Sequence, residues 1–380
     1  MKKKIFILVN TLSFFVSHRL EVAIAAKNKG YDVKVCYGEL GNTNTSILSK
    51  KNITCLKVPL NRGGINLLSE LWSLFFIWKI FYNQKPDIVH LITLKSYLYG
   101  GIAARLAKVP VVVSAVAGLG ILFNQKNLKN FFLKKFLYLF FYIAFNHPNQ
   151  KVIIQNLEDK KLLVNWIGLS KKKFLLFPGS GVNLSAFKSF KESKGIVNIC
   201  FASRLLRDKG VYDFISAAKI IHERKIKARF LLAGNIDLEN PTSLTKKELK
   251  IIKKKKFIKF LGYEKDIPAL YSRSHIICLP SYYGEGIPKT LIEAAAASRV
   301  VVTTDHSGCR DSIIANKTGL LIPIRNPEKL ANSFQWLIEH PRQRVLMGKA
   351  GRKLAERKFD IHKIIQMHLE TYKLLLKKIS

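Results

Sequence analysis

Short runs of β-branched and aliphatic residues alternate with longer stretches of helical periodicity along almost the whole chain. Runs at 5–9, 32–37, 54–58, 88–92, 111–115, 152–155 and 174–177 read as strands, and the series restarts at 198–202, 228–233, 257–261, 276–280, 300–303 and 320–322. Most of these runs are apolar throughout rather than alternating, as expected of strands buried on both faces of a parallel sheet. Strand and helix in regular succession predict βα units, so the fold class is α/β with two Rossmann-like, doubly wound domains. Between the two series lies Pro178-Gly179-Ser180-Gly181-Val182-Asn183 and a polar stretch to Gly195, where apolar periodicity lapses. The predicted domains are therefore 1–180 and 195–355. A last helical pattern, 361–378 within the tail 356–380, is expected to pack back on the first domain.

Composition removes several classes of function. Of 380 residues, 48% are hydrophobic and 11% aromatic, enough for large cores and incompatible with a disordered basic tail. Lys and Arg number 64 against 25 Asp and Glu, a net charge of +39. Such an excess fits a polyanionic partner: nucleic acid, an anionic membrane surface or a diphosphate-bearing substrate. The basic residues are spread along the chain with no nucleic-acid-binding module, so no nucleic-acid partner is expected. The five cysteines, Cys36, Cys55, Cys200, Cys278 and Cys309, form no close pair and mostly sit in apolar runs, which reads as reduced core cysteines of a cytosolic protein. Three lysines before an apolar stretch imitate a signal peptide at the N-terminus, but Asn10, Thr11 and Ser13 interrupt it; a first strand at 5–9 accounts for the same residues.

In doubly wound sheets ligands bind beyond the carboxyl ends of strands. Two loops there carry chemistry. After the strand at 198–202 stands Ser203-Arg204-Leu205-Leu206-Arg207-Asp208-Lys209-Gly210, in which a guanidinium and an ammonium five residues apart can converge on one diphosphate, although a solvated basic loop has the same composition. After 276–280 stands Gly284-Glu285-Gly286-Ile287-Pro288 and then a helix from Thr290 to Ala297, with the proline suited to its first turn. Glu285 falls in the turn and Glu293 inside the helix among Leu291, Ile292 and alanines. Two carboxylates so placed can accept hydrogen bonds from hydroxyls at two ends of one ligand.

Taken together, the Glu285-x7-Glu293 spacing, the strand-Ser203-Arg204-x4-Lys209-Gly210 element, Leu231-Leu232-Ala233-Gly234 and Val301-Val302-Thr303-Thr304-Asp305 resemble a retaining glycosyltransferase of family 4 with the GT-B fold. The stretch from Gly308-Cys309-Arg310-Asp311 to Gly319-Leu320-Leu321-Ile322-Pro323 is similar to bacterial enzymes that extend lipid-linked sugars for surface polysaccharides. The resemblance implies two domains facing across a cleft, and a hexosyl- or N-acetylhexosaminyltransferase moving sugar from a nucleotide donor, UDP-linked, to a lipid-diphosphate-linked saccharide or glycolipid. It implies that Arg204 and Lys209, beside Ser203, neutralise the leaving diphosphate. Glu285, with the backbone of Gly286, Ile287 and Pro288, would hold the transferred sugar, and Glu293 the ribose, with the base near Gly234 and Tyr263. His18 and Arg19, at the first helix, are the acceptor-binding candidates. No metal is expected, since Asp-x-Asp, His-x3-His and Cys-x2-Cys are missing from the sequence, and no cofactor is required.

The chain departs from the broader family in its first strand-to-helix loop, which has no glycine, and after 111–115, where Val116-Ala117-Gly118-Leu119-Gly120 lacks a histidine. Those residues read as a turn rather than a dinucleotide fingerprint. Residues 71–78, followed by Lys79, and 127–145 combine lysine with aromatics and leucine, and both are too short to span a bilayer. The first is expected to be a core helix, the second to dock partly on an anionic membrane, with Lys129, Lys134 and Lys135 facing lipid. The expected location is cytoplasmic, peripheral on the inner face of the plasma membrane. A nucleotide-sugar epimerase on the same fold, a silent scaffold and a nucleic-acid-binding protein are the competing readings.

Overall fold

A computed structural model describes residues 2–61, 66–116, 118–119, 131–282 and 284–379, with backbone alone at 131–134 and 136. The chain divides into two compact units, Met1–Ser180 with His362–Ser380, and Gly181–Ile361.

Unit 1 runs β1 (Lys4–Thr11), α1 (Leu12–His18), α2 (Leu20–Asn28), β2 (Asp32–Glu39), α3 (Ser46–Ser49), β3 (Thr54–Lys57), α4 (Leu67–Gln84), β4 (Ile88–Ile92), α5 (Leu94–Leu106), β5 (Val111–Ala115), α6 (Phe131–Phe145), β6 (Gln150–Ile154), α7 (Leu157–Ile167) and β7 (Phe174–Leu176). Its strands form one parallel sheet in the order β3-β2-β1-β4-β5-β6-β7. The period-2 alternation of β1 sorts its side chains to two buried layers. Phe6 and Leu8 pack with Ile77 and Phe81 of α4, Tyr97 of α5 and Phe145 of α6. Ile5, Ile7 and Val9 pack on the opposite face with Leu12, Phe15 and Ala23. Helix α7 starts at Asn156, whose side chain accepts from the Asp159 amide at 2.8 Å, and the Asp159 carboxylate in turn takes the amides of Gly118 and Leu119 at 3.1 and 2.9 Å. Gly120 lies outside the described residues.

Unit 2 comprises β8 (Val197–Ala202), α8 (Val211–Glu223), β9 (Ala228–Ala233), α9 (Lys246–Lys253), β10 (Ile258–Gly262), α10 (Ile267–Ser272), β11 (Ile276–Leu279), α11 (Lys289–Ala296), β12 (Val300–Thr304), β13 (Gly319–Ile322), α12 (Pro327–Glu339) and α13 (Pro341–Leu354). The parallel sheet has the order β10-β9-β8-β11-β12-β13. A π-helical segment, Ala355–Phe359, then leads into α14 (Ile361–Leu376). Inside unit 2 the departing chain is tied to the arriving one, with Val182 donating to the Phe359 carbonyl at 2.8 Å and Ile361 to the Val182 carbonyl at 3.1 Å.

Helix α14 joins unit 1 by burying Ile364, Tyr372 and Leu375 against the Ile5, Ile7 and Val9 face. It also encloses a polar cluster. His90, at the middle of β4, meets the Tyr372 hydroxyl through Nδ1 at 2.6 Å, and its ring lies 5.2 Å from that of His368. Burial pushes His90 down to about 3 and His368 well below its ordinary range, with the Arg19 charge acting in the same direction.

One expectation about unit 1 is corrected. Residues 71–78 belong to α4, which is a core helix along one face only: Ser73, Ile77 and Phe81 are buried, whereas Leu71, Trp72 and Phe75 stand in solvent. Of 127–145, residues 127–130 with Lys129, and the Lys134 side chain, lie outside the described set. In the rest, Phe141, Ala144 and Phe145 are buried in the core, Lys135 is exposed, and Tyr138, Leu139 and Tyr142 are exposed. No helix among the described residues is long and apolar enough to cross a membrane.

Candidate functional site

In unit 2 the strand order reverses between β8 and β11: from β8 the sheet is built outward through β9, from β11 through β12. A parallel sheet leaves a crevice beyond the carboxyl ends of strands at such a switch point. The loops that follow β8 and β11 are the two that sequence chemistry singles out, and the structure brings them into contact. Tyr282 donates its amide to the Asp208 carbonyl at 2.9 Å, and the Ser281 hydroxyl reaches the same oxygen at 3.2 Å. Lys209 Nζ pairs with Glu285 Oε2, and the Ser281 hydroxyl donates to the other oxygen, Oε1, at 3.0 Å. The Lys209 and Glu285 side chains are only 10% and 15% exposed, so the pair is largely desolvated.

Helix α11 carries the second carboxylate. Its first turn is fixed to β8 by the Thr290 hydroxyl, which donates to the Ala202 carbonyl at 2.9 Å. Glu293 is held inside, where burial pushes its carboxyl above the usual range, while Lys289, 3.4 Å away one turn earlier, pulls it down. Pro288 is the cap residue before the helix rather than part of its first turn, and Gly286, Ile287 and Pro288 are buried. Against that turn lies Gly308, at φ +79°; a Cβ there would sit 2.2 Å from the Gly286 carbonyl oxygen and 2.6 Å from that of Glu285. A side chain at 308 would displace the turn that carries Glu285.

Arg204 is placed differently from Lys209. Its guanidinium donates to Asp237 at 2.7 Å in the loop after β9 and is nearly half exposed. Such a surface pair is worth about 0–1 kcal/mol, so an incoming anion can take the guanidinium over. Gly234 begins that loop at φ +137°, donates to the Gly262 carbonyl at 2.7 Å, and packs so closely that a Cβ would fall 1.8 Å from the Ser203 carbonyl oxygen. Ser203 thus lies under Gly234, and Tyr263, which follows Gly262, projects an exposed ring. Residues that sequence reasoning did not select also line this end of the sheet. Arg325, after β13, lies 4.6 Å above the Tyr282 ring, and the Thr304 hydroxyl donates to the Ser281 carbonyl. Nothing in the local sequence marks Asp237 or Arg325, because their relevance depends on strand order. Among the described residues no three His, Cys, Asp or Glu side chains gather as a metal would require.

The acceptor candidates lie in unit 1 and part company. His18 is half-exposed, stacked on Phe14 at 4.1 Å and bonded through Nδ1 to the Ser17 hydroxyl at 2.6 Å. Arg19 is buried at the break between α1 and α2, donates to the His18 carbonyl at 2.9 Å, and is pushed down to about 10 by burial. A guanidinium closed off beside Tyr372 is not placed to meet an acceptor; the sequence expectation for Arg19 is corrected to a buried position under α14.

Residues 184–354 match the model "Glycosyl transferases group 1" and residues 4–156 match "Glycosyl transferase 4-like". The chain belongs to this glycosyltransferase family. Along 95% of its length it is 25% identical to the N,N'-diacetylbacillosaminyl-diphospho-undecaprenol alpha-1,3-N-acetylgalactosaminyltransferase of Campylobacter jejuni, covering 96% of that protein. It is 26% identical, over 81% of its length and 80% of the relative, to the UDP-Gal:alpha-D-GlcNAc-diphosphoundecaprenol alpha-1,3-galactosyltransferase of Escherichia coli. The solved structure of a glycosyltransferase from Rickettsia africae has the same fold, with a TM-score of 0.77 at 22% identity and 99% of both chains covered. The glycosyltransferase therefore has the GT-B fold.

Proposed function

We propose that the glycosyltransferase moves a sugar from a UDP-linked donor to a lipid-diphosphate-linked saccharide, with retention of anomeric configuration, at the inner face of the membrane during bacterial surface polysaccharide synthesis. The observation that carries the donor half of this reading is the meeting of Lys209, Ser281 and Glu285 at the switch point, with Glu293 one helix turn deeper and Arg204 at the rim. The relatives' names, which specify undecaprenol-diphosphate-linked acceptors and alpha-1,3 products, support the acceptor half.

In this reading the donor diphosphate exchanges for the present partners of Lys209 and Arg204. Lys209 turns from Glu285 to a phosphate oxygen and Arg204 from Asp237, and two cations then stabilise the charge that grows on the leaving diphosphate in a site of low dielectric. Freed of the ammonium, Glu285 accepts hydrogen bonds from hydroxyls of the transferred sugar, beside the turn 286–288. Glu293 accepts from the ribose, and its raised carboxyl is brought back to the charged form by that bond. Tyr263 and Gly234 flank the base, and His18 meets the acceptor. The attacking acceptor hydroxyl gives its proton to the departing diphosphate, so no carboxylate nucleophile is required, unlike retaining glycosidases.

The test is a panel of UDP-sugars with lipid-diphosphate saccharides, read by mass spectrometry and by NMR of the new anomeric centre. Transfer with retention is expected, nearly abolished in Glu285→Ala and Lys209→Ala. A nucleotide sugar that changes configuration without leaving its nucleotide, or near wild-type turnover in both variants, would overturn the reading.

A further inference from the structure

We propose that α4 is the surface by which the glycosyltransferase docks on an anionic lipid bilayer, an inference that rests on the lipid-linked acceptor reading and names the element that meets the lipid. Leu68, Leu71, Trp72, Phe75, Lys79 and Tyr82 recur at steps of three and four and fall in one stripe of the helix. Its apolar members are 46% to 78% exposed. Soluble proteins rarely leave so large a contiguous apolar face in water unless something covers it. The rings are ordered among themselves: Trp72 to Phe75, Phe75 to Trp78 and Trp78 to Tyr82 have centroids 5.8, 5.6 and 5.5 Å apart. The opposite face is fixed in the core by Ile77 and Phe81, and the buried Ser73 donates to the Ser69 carbonyl at 2.8 Å, so the stripe is held outward.

Charge selects the occupant. Glu70, the one acidic residue of α4, is turned to Lys95 of α5 and is mostly buried, leaving Lys79 as the only charge on the stripe. Unit 1 as a whole holds 30 Lys and Arg against 8 Asp and Glu, whereas unit 2 holds 34 against 17. A second copy of the chain would set two such cationic surfaces face to face. A membrane rich in anionic headgroups attracts the same surface, and Trp, Tyr and Lys at one level suit the boundary between headgroup and acyl chain. At 18 residues and with a buried inner face, α4 lies along the bilayer rather than across it. Tyr138, Leu139 and Tyr142 of α6 extend the exposed apolar surface on the same side of the sheet, beyond α5.

Sedimentation with phosphatidylglycerol-containing vesicles, and with phosphatidylcholine vesicles as the neutral arm, tests this without donor or acceptor, so the result stands apart from the transfer reading. Trp72→Ser/Phe75→Ser should weaken binding to the anionic vesicles at least about tenfold while leaving turnover on a detergent-dispersed acceptor unchanged. Turnover on acceptor embedded in vesicles should fall with binding. Leu68→Glu, at the most exposed position of the stripe, gives a second variant if the double change does not fold. Undiminished vesicle binding in a folded variant, or a stripe-dependent dimer in sedimentation velocity, would overturn the proposal.

Discussion

The pairing of Lys209 with Glu285 makes two separable demands, one on stability and one on chemistry, and a double-mutant cycle distinguishes them. Lys209→Met removes the ammonium while keeping most of the side-chain volume. It takes the ammonium away from a carboxylate that is 15% exposed and keeps the Ser281 hydroxyl at 3.0 Å on one oxygen. Removing one member of a buried pair typically costs about 3–5 kcal/mol. Residual exposure and the surviving hydrogen bond reduce that here to about 2–3 kcal/mol. Glu285→Gln takes the carboxylate away from the ammonium in the same way, and the double variant removes both charges together. Its cost should therefore fall short of the sum of the single costs by about 1.5–2 kcal/mol. Because two units unfold in this chain, the appropriate assay is hydrogen exchange on peptides from β11 and β12, which reads unit 2 locally. Transfer activity should behave oppositely: each single variant and the double variant lose about a hundredfold or more, since the cation meets the leaving diphosphate and the carboxylate meets the sugar. Additive stability costs would refute the structural pairing. A double variant with turnover restored along with stability would refute the catalytic assignment.

Three further outcomes follow from the geometry. Gly308→Ala, at φ +79° with a Cβ 2.2 Å from the Gly286 carbonyl oxygen, should cost about 1–3 kcal/mol and raise the KM for the nucleotide sugar while sparing that for the acceptor; steady-state kinetics with each substrate varied in turn checks it. Glu293 has a folded pKa raised by burial above the ordinary 4.5, so its ionisation costs stability that is absent below about pH 4.5 and accumulates as pH rises towards the folded value. Glu293→Gln should gain in Tm relative to wild type across that interval and bind UDP about tenfold or more weakly at pH 7, and an unchanged Tm difference between pH 4 and 7 would count against the buried charge. His90, held neutral with its pKa down at about 3, should cost unit 1 about 2 kcal/mol at pH 5, because the unfolded chain takes up the proton from about 6.5 downward; hydrogen exchange at α14 should rise with acid, and His90→Asn should flatten that dependence.

The strands were legible because a parallel sheet buries both faces and so writes a continuous apolar run. The expected runs at 88–92 and 111–115 coincide with β4 and β5. Strand β6 starts earlier than expected because Gln150, polar in sequence, is buried with its amide donating to the Ser114 hydroxyl at 2.9 Å. Helix α4 defeats periodicity for a different reason. Its apolar residues surround the axis, so nothing local says that Phe81 faces the sheet and Phe75 faces water. Arg19 reads as a surface cation beside His18, and its burial is decided by Tyr372 and His368, some 350 positions later. In the second unit the two chemical loops were legible, but their contact through Asp208, Ser281 and Tyr282 depends on β8 lying next to β11, a fact of topology. The same topology brings in Asp237 as the resting partner of Arg204, which no spacing along the chain anticipates.

The charge excess acquires meaning only when divided between the units. Unit 2 pairs part of its basic inventory internally: Arg207 with Glu248, Arg224 with Glu328, Arg273 with Glu264, Arg344 with Glu192 and Arg352 with Glu356. Arg344 is the extreme case, buried against a half-buried Glu192 and bonded also to the Leu337 carbonyl at 2.7 Å, where it ties the 192 segment to α13. The cations assigned to the donor, Lys209 and Arg204, are likewise paired at rest, so the site is charged without being an open well of potential. Unit 1 lacks the carboxylates to do the same, with 8 for 30 cations. A surplus dispersed in this way cannot read a sequence or grip one diphosphate. It can hold a whole unit against an extended anionic sheet, where about 1 kcal/mol per basic residue near the surface is summed over many residues, while the apolar stripe of α4 fixes which side is down.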